Sequence, residues 1–303
     1  MLVNEEKALK GKKCLVFGGA GFLASALIKV LARANYSVVI IDKEGVESGP
    51  LVTSYIFDVS TELKLLPVSL KEFDYVFNFI AQPDIERSVS QVRQTFELNL
   101  MFNIRLLEAL RDSGSKAKYI FASSVYAVSA SGLFYGISKW AAEKAINEFG
   151  KLHNLQYLIL RYGSVYGPGA DRSNRIYKFV SQALMERKIT FLGDGMEERE
   201  FINVDDAAEL TVDVLQEDQI NETFVITGTE RYSYFAIGQM LNEIFGGDIQ
   251  LDFKGVDYGG HYYYTPYSFS LPTARKVVPK KFKDIGQGLI EVAESLSQMG
   301  GEK

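Results

Sequence analysis

In the first half of the chain the apolar residues fall into short continuous runs, separated by longer stretches with helical spacing. Cys14-Leu15-Val16-Phe17 is uninterrupted and stops at two glycines, the pattern of a strand buried on both faces. Ala24 to Ala34 then repeats its apolar residues at helical intervals. Val38 to Ile41, Tyr55 to Phe57, Tyr75 to Ile80, Tyr119 to Phe121 and Tyr157 to Leu160 read as further strands, and Phe96 to Leu110 and Phe134 to His153 as helices. Such alternation predicts an α/β fold built on a doubly wound parallel sheet.

After Gly167-Pro168-Gly169 the rhythm loosens. Helices are predicted around Ile176 to Arg187, Asp205 to Leu215 and Tyr234 to Phe245, short strands at Ile189 to Phe191 and Phe224 to Ile226, and an aromatic-rich stretch runs from Tyr258 to Phe269. We expect residues 1–169 to form one domain. Residues 170–303 then form a smaller, partly interleaved α/β substrate lobe, part of which returns to the first domain.

Composition narrows the setting. The chain has 303 residues and a 47% hydrophobic share, enough for one large core and a smaller one. A net charge of -5, with no basic block, argues against nucleic acid as the partner. The single cysteine, Cys14, cannot form an internal disulfide, which suits a reducing compartment. Met1 to Lys10 lacks an apolar leader core, and no apolar stretch approaches the roughly 20 residues of a membrane span. A cytoplasmic protein that binds neither membrane nor metal is expected.

Candidate chemistry begins between the first strand and first helix, at Gly18-Gly19-Ala20-Gly21-Phe22-Leu23-Ala24. Gly18, Gly21 and Ala24 supply small residues where backbone must approach a pyrophosphate, and the helix opening at Phe22 and Leu23 offers its N-terminal amides to the charge. Asp42 ends the second strand, where a carboxylate accepts from ribose hydroxyls and repels a 2′-phosphate, so NAD is favoured over NADP; the adjacent Lys43 pulls the other way. Asp58, after the third strand, reads equally as an adenine contact or a turn aspartate. Downstream, Tyr135-Gly-Ile-Ser-Lys139 places a phenol and an ammonium four apart on one helix face, shortly after Ser123-Ser124. That spacing lets the ammonium lower the phenol's pKa from about 10 and make it a base.

These segments resemble the extended short-chain dehydrogenase/reductase superfamily, and within it the NAD-dependent epimerase/dehydratase family acting on nucleotide sugars. Asn78-Phe79-Ile80-Ala81, Asn99, the segment from Arg161 to Gly169, Gly193-Asp194-Gly195 and Arg199 to Asp206 are similar to that family's motifs. The resemblance implies a Rossmann domain binding NAD over residues 1–169, with Ala81 among its contacts, and a nucleotide-sugar lobe beyond. It implies that Tyr135 is the base, that Lys139 binds the nicotinamide ribose, and that Ser124 holds the reacting oxygen, with Ser123 as the alternative. Asn99 props the site, Arg199 clamps a diphosphate oxygen, Ser164 replaces an asparagine near the phosphates, and His261 or a tyrosine stands where relatives carry a second phosphate arginine. The helices Phe96 to Leu110 and Phe134 to His153 are those that pair copies into a homodimer.

Departures from the family narrow the reaction. Relatives that eliminate water or decarboxylate carry acidic residues just after the active Ser or Thr, whereas Val125 and Tyr126 follow here. The Cys/His pair of 3,5-epimerising relatives is not matched by Cys14, His153 or His261, and His153 reads as a residue stabilised at a helix end. Hydride transfer at one carbinol carbon, C4, is left, as a 4-epimerase, a 4-dehydrogenase or a ketoreductase. UDP, GDP, dTDP and CDP sugars all stay open. A catalytically silent dinucleotide binder is the rival class, and its expected mark, loss of Tyr135 or Lys139, is absent.

Overall fold

The computed structural model describes residues 11–216, 219–255, 259–264 and 274–300. Of the aromatic stretch Tyr258 to Phe269, only residues 259–264 lie within that range. Eight strands build the large sheet: β1 (Lys13–Phe17), β2 (Ser37–Asp42), β3 (Val52–Ile56), β4 (Tyr75–Asn78), β5 (Lys118–Ser124), β6 (Tyr157–Tyr162), β10 (Glu222–Ile226) and β13 (Arg275–Val277). Five short strands lie outside it: β7 (Ser164–Tyr166), β8 (Lys188–Phe191), β9 (Glu198–Asn203), β11 (Arg231–Ser233) and β12 (Gln250–Phe253). The helices are α1 (Phe22–Arg33), α2 (Ile85–Ser90), α3 (Val92–Phe96), α4 (Phe102–Ser113), α5 (Leu133–His153), α6 (Arg175–Glu186), α7 (Val204–Gln216), α8 (Tyr234–Ile244) and α9 (Ile285–Gly300).

The large sheet is parallel throughout, in the order β13-β10-β6-β5-β4-β1-β2-β3. The chain winds outward from β1 in one direction and from β4 in the other, so a crevice opens at the strand ends between them. Apolar runs such as Cys14 to Phe17 are buried on both faces because α1 and α7 cover one side while α4 and α5 cover the other. A third core joins α6, α8 and α9 to β8 and β9. Strands β10 and β13 and helix α7, all beyond residue 170, belong to the large sheet and its covering layer.

Two elements differ from their predicted extents for tertiary reasons. Strand β4 stops at Asn78, because Phe79 and Ile80 turn past the first glycine loop: a Cβ on Gly18 would lie 3.0 Å from the Ile80 nitrogen. The predicted helix Phe96 to Leu110 is the middle of a longer run in which Glu97–Met101 forms a π-helical turn, and that turn carries Asn99 into the interior.

Candidate active site

The loop between β1 and α1 is held in place by its backbone. Gly18 has φ +81°, and its N–H donates to the Ile41 carbonyl at 2.9 Å, pinning the loop to the end of β2. Asp42 is buried there, its Oδ2 accepting from the Ala20 N–H at 2.9 Å and its Oδ1 from the Glu44 N–H at 3.1 Å. Each oxygen keeps a lone pair for a ribose hydroxyl. Gly18, Gly21, Asp42, Asp58 and Ala81 line one cavity of about 980 Å³. That volume, the glycine that admits no Cβ and the anchored carboxylate fit a dinucleotide. Phe22 and Leu23 do not line the cavity; half-buried at the start of α1, they pack on the core beneath the loop. Asp58 is a turn residue as well, held below the usual carboxylate range by its backbone and side-chain hydrogen bonds to Ser60.

At the inner end of the crevice, α5 presents Tyr135 and Lys139, and β5 delivers the two serines. Successive strand residues face opposite ways, and the serines do so. Ser124, whose Oγ accepts from the Tyr126 N–H at 3.2 Å, is near enough to the Tyr135 phenol to lower its pKa, while Ser123 donates to Glu143 Oε1 at 2.5 Å. Glu143 is also paired with Arg161, whose Nε and Nη2 donate to its two oxygens at 2.9 and 2.7 Å. Ser124 is therefore brought to Tyr135 and Ser123 is not. Asn99 ties the arrangement together: its Oδ1 accepts from the Gln82 N–H at 2.7 Å, its Nδ2 donates to Ser138 Oγ at 2.9 Å, and Ser138 Oγ donates to the Tyr135 carbonyl at 2.7 Å.

Burial raises the Tyr135 phenol above its ordinary value, offset in part by Ser124. Lys139 donates to the Ala122 carbonyl at 2.7 Å, and burial lowers its pKa to about 7, with Glu143 opposing. The burial that encloses the site disfavours the charged form of both groups.

Opposite Tyr135 stands a cluster of rings. Tyr126, two residues after Ser124, has its ring centroid 6.2 Å from Tyr135 and 4.6 Å from Tyr262. Its hydroxyl lies 2.9 Å from His261 Nδ1. Burial, followed by Arg175, Arg199 and Lys178, lowers the His261 pKa to about 3, so the ring is neutral near pH 7. Burial raises the Tyr262 phenol, with Arg199 and then Ser164 opposing, and Arg199 packs its guanidinium 4.2 Å from the Tyr262 ring centroid. Arg199 Nη1 donates to the Glu198 and Tyr263 carbonyls at 2.8 and 3.3 Å, so the arginine is buried rather than engaged in a surface salt bridge. His153 ends α5 on the exposed surface, its ring 5.1 Å from Phe149, away from the site.

Residues 14–227 match the NAD dependent epimerase/dehydratase family. The chain belongs to that family. Members of the epimerase/dehydratase family are enzymes, and NAD is their cofactor. A Methanocaldococcus jannaschii relative, provisionally named UDP-glucose 4-epimerase, is 29% identical over 219 residues, 64% of this chain and 70% of its own. An uncharacterized UDP-glucose epimerase of Bacillus subtilis is 27% identical over 273 residues, 80% of this chain and 85% of its own. Among solved structures, the UDP-glucuronic acid 4-epimerase of Bacillus cereus, in complex with UDP-glucuronic acid and NAD, superposes with TM-score 0.79 at 25% identity, covering 95% of this chain and 100% of that one.

Within this epimerase/dehydratase chain, the structure adds site residues that sequence reasoning passed over. Tyr126 had a signal, its position two after Ser124, but was read only as the absence of an acid. Glu143, one helical turn beyond Lys139, and Arg161 looked like ordinary charged residues, and only the fold shows them buried against each other.

Proposed function

We propose that this protein is a nucleotide-sugar 4-epimerase acting on a UDP-linked sugar. The observation that carries it is the buried Tyr135 phenol with Ser124 acting on it, followed in sequence by Val125 and Tyr126, with no carboxylate in the two positions where elimination or decarboxylation needs an acid. The named relatives that act on UDP sugars at C4 support the reading. NAD, when bound along Gly18, Gly21, Asp42 and Ala81, supplies the hydride acceptor. Tyr135 takes the proton from the C4 hydroxyl and later returns it, while Ser124 keeps the oxygen in line and Lys139 faces the nicotinamide ribose. Inversion requires the same carbon to lose and regain hydrogen on opposite faces. The sugar must therefore turn within the site while Arg199 retains its diphosphate.

The exposed apolar residues Met101, Phe134, Ile137 and Trp140, on the π turn and α5, support pairing of two copies. Among the described residues no helix is long and apolar enough to cross a membrane, and we place the enzyme in the cytoplasm, where Cys14 stays a thiol.

The purified protein should release NAD⁺ on heating and should interconvert UDP-sugars at C4 without added NAD, followed by NMR. Oxidation only with added NAD, yielding NADH in step with product and no C4 epimer, would instead establish a 4-dehydrogenase.

A further inference from the structure

Two charged side chains in the substrate lobe are almost wholly buried, and each has one polar atom with no hydrogen-bond partner among the described residues. Arg199, 1% exposed, leaves Nη2 unmet; Glu197, 7% exposed, leaves Oε2 unmet. Burial of charge without partners is costly, and two such atoms within three residues of chain mark a place that a ligand completes. Glu197 lines a cavity of about 10 Å³ together with Arg175, Leu192, Gly193 and Tyr234. The Tyr234 ring also carries the Arg199 guanidinium, 5.2 Å from its centroid, so cavity and arginine share a wall. A Cβ on Gly193 would overlap the Glu197 carboxylate, so glycine at the end of β8 is what lets the carboxylate fold back over this space.

The chemistry of the occupant follows from size and polarity. A carboxylate accepts and cannot donate, so it needs N–H or O–H groups. A space this small has room for about one water or one hydroxyl, and no room for a base. A diphosphate on Arg199 is flanked by two hydroxyl-bearing groups; with the sugar turned to Tyr135, the one left on the other side is the ribose of the same nucleotide.

We propose that Glu197 reads the ribose of the substrate by accepting a hydrogen bond from its 2′-hydroxyl, so that the enzyme selects ribonucleoside over 2′-deoxyribonucleoside diphosphate sugars. This rests on the assignment of Arg199 to the diphosphate, and it disfavours dTDP sugars among the nucleotides that the sequence leaves open.

Calorimetric titration of the NAD-loaded enzyme with UDP, 2′-deoxy-UDP and inorganic pyrophosphate tests it. Wild type should bind UDP about tenfold or more tightly than 2′-deoxy-UDP, the scale of a hydrogen bond to a charged group. Glu197→Ala should lose that preference and weaken UDP, while pyrophosphate binds no more weakly. Electrostatics alone would strengthen an anion's binding when a carboxylate is removed, so weakened UDP singles out the 2′-hydroxyl contact. Glu197→Gln, which keeps shape and one acceptor, should show an intermediate preference and covers the case in which the alanine variant fails to fold. Equal binding of UDP and 2′-deoxy-UDP by wild type overturns the proposal, as does a preference that survives in Glu197→Ala. Tight and equal binding of GDP and 2′-deoxy-GDP, with UDP weak, would assign the carboxylate to a base edge and overturn it too. If NAD binds and none of the diphosphates does, the Arg199 assignment itself falls, and the proposal with it.

Discussion

Replacing Glu143 by Gln should damage this enzyme through a residue that reaches the reaction only by way of its neighbours. The Glu143 side chain is 4% exposed and that of Arg161 8%, and the carboxylate takes three hydrogen bonds, at 2.5 Å from Ser123 and at 2.9 and 2.7 Å from Arg161. Glutamine keeps one acceptor but turns an NH₂ group toward the guanidinium, so the buried Arg161 charge loses its carboxylate partner Glu143. Breaking one side of a buried pair costs about 3 kcal/mol, which corresponds to a fall in Tm of roughly 6 to 10 °C. The Arg161→Met variant should lose a similar amount. The double variant Glu143→Gln/Arg161→Met should lose far less than the sum, because the buried guanidinium that glutamine fails to match is then gone. Activity should drop further than stability explains, since Ser123 loses its anchor beside Ser124, and the Lys139 pKa loses the charge that now opposes its depression. Calorimetric unfolding of the four proteins closes the cycle. Additive single effects, or a loss below about 1 kcal/mol for Glu143→Gln, would show that the three side chains do not act as a unit.

Tyr135→Phe should lower kcat by about 10²- to 10⁴-fold, the usual share of a positioned acid–base group, while heat still releases bound NAD; turnover near the wild-type level would remove Tyr135 from the reaction. Gly18→Ala should weaken NAD binding and cost about 1–3 kcal/mol, because its φ is +81° and a Cβ would press on the Phe79–Ile80 backbone; unchanged NAD affinity by titration would contradict the cradle. Lys139 has a pKa of about 7 in the folded protein against an ordinary lysine value of 10.5, so between those values the unfolded chain binds more protons and folding stability rises with pH. Lys139→Met should accordingly be inactive yet more heat-stable than wild type at pH 7, by a margin that shrinks toward pH 10; a margin independent of pH would refute the buried-lysine argument.

The first half of the fold was legible because parallel strands covered on both faces write themselves as unbroken apolar runs, and Gly18 and Asp42 sit at their ends. Helix α9 was legible too and was missed: Ile285, Leu289, Val292, Ala293 and Leu296 follow helical spacing and are buried in the lobe core. The π turn at Glu97–Met101 was not legible, since it is fixed by the Gln82 and Ser138 bonds to Asn99, partners from distant parts of the chain. For the same reason the sequence named Arg199 without revealing Glu197 beside it. A glutamate reads as solvated until the packing of Gly193 and Tyr234 encloses it.

The placement of β10 beside β6 also bears on how the chain is made. Residues 157–162 form an almost wholly apolar, fully buried strand whose outer neighbour is residues 222–226. At ribosomal speed the second segment follows the first by several seconds, on the order of ten. Throughout that interval the newborn chain carries an uncovered sheet edge, a template for joining another chain. Its yield in a cell therefore depends on how well nascent chains are kept apart before residue 226 emerges, and severing the polypeptide at residue 169 would make that exposure permanent rather than produce an autonomous cofactor-binding half.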